Sequence, residues 1–123
     1  MLPGMGHNPI LIVDDDDATR EAMAELLQRS GFRVACACDG ADGLAQLRSG
    51  LRPCLILLDI FMPRKNGWEF RAEQVADPQL SGIPTIAYSA DDSSEERAVA
   101  LGLPFFQKPG VLDRVVNIVK RYC

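Results

Sequence analysis

Four aliphatic residues followed by a carboxylate, Leu55-Ile56-Leu57-Leu58-Asp59, constrain this chain more than any other stretch. A run without a polar residue on either side of the pleat has the pattern of a parallel strand covered on both faces, and the first charge marks where that strand leaves the core. Asp59 is thereby delivered to a rim. Ligand sites of open α/β sheets lie beyond the carboxyl ends of the strands, so the residues at the other strand ends decide what such a rim can do.

Ile10 to Val13 is a second apolar run, ending in Asp14-Asp15-Asp16-Asp17. After it Ala22, Met23, Leu26 and Leu27 recur at helical intervals up to Gly31, a residue suited to the C′ position. Phe32 to Ala37 gives a second strand, and Ala41 to Ser49, before Gly50, a second helix. Beyond the Asp59 strand a third helix covers Trp68 to Ala76 and stops ahead of Asp77-Pro78, and Pro84 to Ser89 is a fourth strand. Ser94 to Leu101, closed by Gly102, is a short fourth helix; Leu103 to Gln107 and Val111 to Tyr122 supply a fifth strand and a fifth helix. Strands alternating with helices specify a parallel sheet with helices on both faces, joined by right-handed crossovers. The expected fold is α/β and flavodoxin-like, a five-stranded sheet in the order 2-1-3-4-5 over residues 9–123, with residues 1–8 as a flexible N-terminal tail. A chain of 123 residues has room for one such domain.

In that order the first and third strands are neighbours, so Asp14 and Asp15 meet Asp59 in one crevice, with Ser89 ending the fourth strand and Lys108 following the fifth. Three carboxylates held together repel: two unit charges about 4 Å apart at an effective dielectric near 20 cost roughly 4 kcal/mol. A divalent cation relieves this, and hard oxygen donors without Cys or His select Mg²⁺, with Mn²⁺ as a substitute. A hydroxyl from Ser89 and the ammonium of Lys108 then suit the oxygens of a phosphoryl group, and Asp59 suits a nucleophile that forms an aspartyl-phosphate. Asp16 and Asp17 are expected only to cap the first helix, where acidic groups satisfy free N–H groups and the dipole.

Composition narrows the partners. Net charge is −4 with 24% charged and 47% hydrophobic residues, which speaks for an ordinary globular chain and against nucleic acid or an anionic membrane as ligand. No stretch approaches the length of a membrane span and the N-terminus has no secretory pattern, so a cytoplasmic location is expected. Of the four cysteines, Cys36 and Cys38 lie two apart in a strand and Cys54 opens the apolar run; with no Cys/His set beside them they are expected to fill core. His7, in a Gly/Pro/Met-rich start, receives no role, and Trp68 is expected in the core.

Val13-Asp14-Asp15-Asp16 with Arg20, Leu58-Asp59-Ile60-Phe61-Met62-Pro63 with Gly67, Ser89-Ala90 and Lys108-Pro109 together resemble the receiver domain of two-component response regulators, in order and over nearly the whole chain, and the single-domain, chemotaxis-regulator-like members in particular. The resemblance implies Asp59 as phosphoacceptor, Asp15 as a direct Mg²⁺ ligand, Asp14 acting mostly through water, and the backbone carbonyl of Phe61 on the metal. It further implies Ser89 as switch hydroxyl, Lys108 as phosphoryl contact, Phe105 at the aromatic switch position, and a cis Lys108-Pro109 peptide. Phe105 lacks a phenol, the Gly102–Lys108 stretch is one residue shorter than usual, and Ser89 stands where Thr is also common. The implied function is that of a phosphoacceptor in a phosphorelay, served by a sensor histidine kinase or a histidine phosphotransfer protein. The face from the fourth to the fifth helix would switch toward a downstream protein. Such a domain is no enzyme beyond Mg²⁺-dependent self-phosphorylation and autodephosphorylation. The runner-up is a haloacid-dehalogenase-like phosphatase, since Asp15-Asp16-Asp17-Ala18-Thr19 fits D-x-D-x-T with Asp15 as nucleophile; that reading leaves the Asp59 stretch unexplained.

Overall fold

The computed structural model describes residues 8–62, 64–91, 93–108 and 110–123. In chain order its elements are β1 (Ile10–Val13), α1 (Asp17–Arg29), β2 (Val34–Ala37), α2 (Gly40–Arg48), β3 (Leu55–Asp59), α3 (Gly67–Ala76), β4 (Thr85–Ser89), α4 (Ser94–Ala100), β5 (Phe105–Gln107) and α5 (Gly110–Lys120). The described strands form one parallel sheet in the order β2-β1-β3-β4-β5, as expected from the sequence.

Alternation along the strands sorts the side chains into two layers. Ile10, Ile12, Leu55, Leu57, Ile86 and Tyr88 face α1 and α5, meeting Met23 and Leu27 of the first and Val111, Val115, Ile118 and Val119 of the second. Leu11, Val13, Ile56 and Leu58 face the other way, onto Leu44 and Leu47 of α2 and Phe70 of α3. Ile60 and Ala87 continue that face toward Ala98 of α4, with Trp68 and Phe105 packed at its edge. β1, β3 and β4 are buried along their whole length; β1 and β3 are aliphatic up to Asp59, while the polar residues of β4, Thr85, Tyr88 and Ser89, each have a hydrogen-bond partner.

Helix ends follow local chemistry. Ser30 caps α1, and Gly31 takes the left-handed conformation (φ 93°) that closes the turn, its N–H donating to the Gln28 carbonyl at 3.0 Å. Asn66 starts α3 in a reciprocal capping box: its side chain accepts from the Glu69 N–H at 2.9 Å, and the Glu69 carboxylate accepts from the Asn66 N–H at 3.0 Å.

The cysteines depart from expectation. Cys36 and Cys38 are exposed, because β2 is an edge strand and ends at Ala37, leaving Cys38 in the following loop. Cys54 is no mere core filler: it forms a disulfide with Cys123, tying the start of β3 to the segment after α5 across 69 residues. Trp68 is half-buried, its ring covered by the Arg97 guanidinium 4.5 Å from the centroid. The expected tail over residues 1–8 lies almost wholly outside the described residues, as do His7, Pro63 and Pro109 and with it the expected cis peptide.

Candidate functional site

The carboxyl edge of the sheet gathers the residues singled out from the sequence. Asp14 follows β1 and is fully buried, Asp59 closes β3 at 3% exposure, and Asp15 stands exposed beside them. One carboxylate oxygen from each lies within 4.8 Å of the others. Lys108, just past β5, enters from the far side. Its Nζ is 3.3 Å from Asp14 Oδ2 and 3.6 Å from Asp59 Oδ2, and its backbone N–H donates to the Ser89 carbonyl at 2.9 Å. Ser89 is fully buried at the end of β4, its Oγ accepting from the Asp91 N–H at 3.1 Å.

Burial and charge crowding act together on Asp59. Burial, and next the neighbouring Asp14 carboxylate, push the Asp59 carboxyl up to about 8, while Lys108 pulls it back. A carboxyl in that state needs compensating positive charge before it ionises at neutral pH. The donor set fits a hard divalent cation: oxygen atoms only, one of them on an exposed and hydrated residue, and a net negative pocket that a single lysine does not neutralise. Phe61, 53% exposed, directly follows Ile60 in the loop above the pocket.

Neighbouring contacts hold this geometry. Arg20 Nη1 donates to the Asp14 carbonyl at 2.7 Å and its other nitrogen pairs with Asp17, so α1 is tied to the strand end it follows. Gly67 is required by close approach: its N–H donates to the Ile60 carbonyl at 2.8 Å, and a Cβ there would sit 2.8 Å from both the Asp59 carbonyl oxygen and the Ile60 Cα. Sequence reading missed two features. Arg64 Nε donates to Asp39 at 2.8 Å, anchoring the β3–α3 loop to the buried cap of α2, and its backbone is left-handed (φ 60°). The Tyr88 hydroxyl donates to Asp14 Oδ2 at 2.7 Å. A tyrosine in a strand expected to be buried is the signal for the second, since its O–H demands a partner. The first rests on contacts across 25 residues and has no local signal.

The sequence profile of the family described as response regulator receiver domain matches residues 10–120. The chain belongs to this family. The response regulator MprA of Mycobacterium tuberculosis is 34% identical over 114 residues, 87% of this chain and 46% of that protein, and the transcriptional regulatory protein AfsQ1 of Streptomyces coelicolor is 48% identical over 60 residues, 49% of this chain and 26% of that protein. The receiver thus spans about half or less of those relatives. Among solved structures, the chemotaxis protein CheY4 of Vibrio cholerae superimposes with a TM-score of 0.83 at 24% identity, covering 96% of this chain and all of that one, a likeness of fold. The phosphorylated cyanobacterial phytochrome response regulator RcpA gives 0.79 at 30% identity over 94% of this chain and 91% of that one. Membership removes the phosphatase alternative. In this receiver Asp15 belongs to the acidic cluster, and Asp16 stands at the N-cap of α1 without the expected side-chain bond to a free N–H; it accepts instead from the Thr19 hydroxyl, a contact that holds the Asp16 carboxyl below its ordinary range.

Proposed function

We propose that this receiver takes a phosphoryl group from a phosphohistidine, on a sensor histidine kinase or a histidine phosphotransfer protein, onto Asp59. One observation carries the reading: Asp59 ends the central strand in a pocket where two further carboxylates face it and Lys108 bridges two of the three. Asp14, Asp15, Asp59 and the Phe61 carbonyl would hold Mg²⁺, which supplies charge neutralisation for the phosphoryl oxygens and for the carboxylates. An Asp59 oxygen attacks phosphorus, the N–P bond of the phosphohistidine breaks, and the departing imidazole nitrogen keeps the electron pair and takes up a proton. Lys108 then has a phosphoryl oxygen as a better partner than Asp14. Ser89, on the neighbouring strand end, donates its hydroxyl to another oxygen, as charge stabilisation in phosphoryl transfer requires.

The output would run through α4, β5 and α5. Phe105 opens β5 half-buried against the cluster of Ile60, Ala87, Ala98 and Leu103, so a shift of Ser89 and β4 reaches it directly. Val99 is 65% exposed on α4 and Leu101 50% exposed just after it, apolar surface suited to a downstream protein. Net charge of −4 fits a basic protein surface better than nucleic acid as partner. The deciding experiment is incubation with Mg²⁺ and a small acyl phosphate or phosphoramidate. Intact-mass and peptide analysis should find one added phosphoryl group on Asp59, lost in Asp59→Asn. Modification of Asp15 instead, or of neither, overturns the reading.

A further inference from the structure

The Tyr88 hydroxyl reaches from the α1/α5-side core cluster into the acidic pocket, and nothing in the phosphotransfer scheme above uses it. We propose that it is a positioning group: it holds Asp14 in the orientation that accepts a divalent cation, and keeps Asp14 partnered when Lys108 leaves for a phosphoryl group. The inference rests on the metal and phosphoacceptor reading given above.

Three observations carry it. Tyr88 is fully buried, and its ring packs among Ile12, Leu57, Val111 and Val115, so the direction of its hydroxyl is fixed by the core rather than by solvent. The hydroxyl bridges strands that are not neighbours. Tyr88 pairs with Asp59 of β3, and β3 separates β4 from β1, so the contact with Asp14 spans two interstrand spacings, roughly 10 Å. A leucine or valine in this strand has neither the reach nor the donor. The partners of Asp14 are also divided: Oδ1 accepts from the Asp16 N–H at 2.9 Å, while Oδ2 faces both Tyr88 at 2.7 Å and Lys108 at 3.3 Å. Were Lys108 the only side chain on Oδ2, its departure would strand a fully buried carboxylate oxygen, which is costly. Tyr88 removes that cost and lets Lys108 move.

The ring has a second part to play. Lys108 Nζ lies 5.3 Å from the Tyr88 centroid, so the aromatic face seats the ammonium beside the pocket, and phenylalanine would keep that seat. Tyr88→Phe therefore deletes the hydroxyl while leaving ring packing and cation–π contact in place. Partners that orient a metal ligand typically contribute 10- to 100-fold in affinity. Calorimetric titration with Mg²⁺ should show binding weakened about tenfold, and the Asp14 carboxyl carbon and the Asp16 amide should both shift in the metal-free NMR spectrum. A merely structural hydroxyl would lower the melting temperature and leave Mg²⁺ affinity and the Asp14 carbon unchanged. Parental affinity in Tyr88→Phe, or a loss of affinity without a shift at Asp14, overturns the proposal while phosphorylation of the parent on Asp59 stands. A parent that binds no Mg²⁺ overturns both.

Discussion

Lys108 Nζ stands 3.6 Å from Asp59 Oδ2 and slightly closer, 3.3 Å, to Asp14, so the cation proposed to meet a phosphoryl group is paired with both carboxylates. It competes there with Mg²⁺ for the same oxygens. Lys108→Ala should lower stability without Mg²⁺ by about 1–3 kcal/mol, because Asp59 Oδ2 loses its cationic partner while Asp14 keeps the Tyr88 hydroxyl, and should bind Mg²⁺ as tightly as the parent or more so. Thermal melts with and without Mg²⁺, joined to a calorimetric titration, check both halves. Mg²⁺ affinity that falls in this variant would assign Lys108 to holding the site together rather than to competing for it.

Asp59 and Asp39 give the metal-free protein opposite pH dependences. The Asp59 carboxyl is raised by burial to about 8 from an ordinary 3.8. Between those values the folded chain keeps a proton that the unfolded chain has released, so stability falls as pH rises through this window and is flat above it. Asp39 is lowered, first by the Asp42 N–H and then by Arg64, so its contribution is present above the ordinary carboxylate value and is lost as pH falls below it. Denaturant titrations from pH 3 to 9 in chelator should show a maximum near the ordinary carboxylate value of 3.8, where the two opposite slopes meet. Asp59→Asn should abolish the decline on the alkaline side, melt higher than the parent at neutral pH and respond less to Mg²⁺. A parent whose stability rises steadily to pH 8 contradicts the assignment.

Gly67 places α3 against the backbone of Asp59 and Ile60. Gly67→Ala drives a methyl into the Asp59 carbonyl and Ile60 Cα, neither of which swings away as a flexible side chain would. The expected cost is on the order of 1–3 kcal/mol, with slower phosphorylation of Asp59 because the strand end is displaced. Equilibrium unfolding and a phosphorylation time course measure the two effects.

The Cys54–Cys123 disulfide closes a loop of 69 residues and fastens the chain after α5 to the start of β3. Reduction, or Cys123→Ser, should cost about 2–4 kcal/mol of unfolding free energy and raise amide exchange at the end of α5 first. Unchanged stability under a reducing agent would mean that the bond adds nothing in solution.

The strand order and the acidic triad were legible because they rest on local patterns. An apolar run ending in Asp59, a second ending in Asp14, and the crossover rules suffice to make these residues neighbours. Lys108 and Ser89 followed because each ends or follows a strand. What escaped depends on partners far off in sequence. Tyr88 counts as one more large residue in a buried strand until Asp14 is seen above it, and Asp39 looks like an ordinary cap until Arg64 reaches it. The cysteines were misjudged on burial. A two-residue spacing in β2 says which face Cys36 takes but not that the strand lies at the sheet edge and is left uncovered, and nothing near Cys54 points to the far end of the chain.

The switch is expected to depend on packing more than on hydrogen bonding. Phe105 is half-buried against Ile60, Ala87, Ala98 and Leu103, and its β5 position pairs with Ala87, two residues before Ser89. When the Ser89 hydroxyl turns from its present contact with the Asp91 N–H toward a phosphoryl oxygen, the space beside β4 changes, and the ring has only apolar contacts with which to respond. A phenolic oxygen would add one hydrogen bond, worth about 0.5–1.5 kcal/mol net, so Phe105→Tyr should shift the ring's population modestly. Ser89→Ala should remove most of the phosphorylation-dependent movement while leaving Asp59 open to modification, if the hydroxyl is the proposed link between the phosphoryl group and β4. Ring and α4–α5 amide shifts, recorded with and without a phosphoryl mimic in the parent and both variants, test this. A full response in Ser89→Ala would mean that the signal reaches Phe105 by another route, with Lys108 and its bond to the Ser89 carbonyl as the remaining connection.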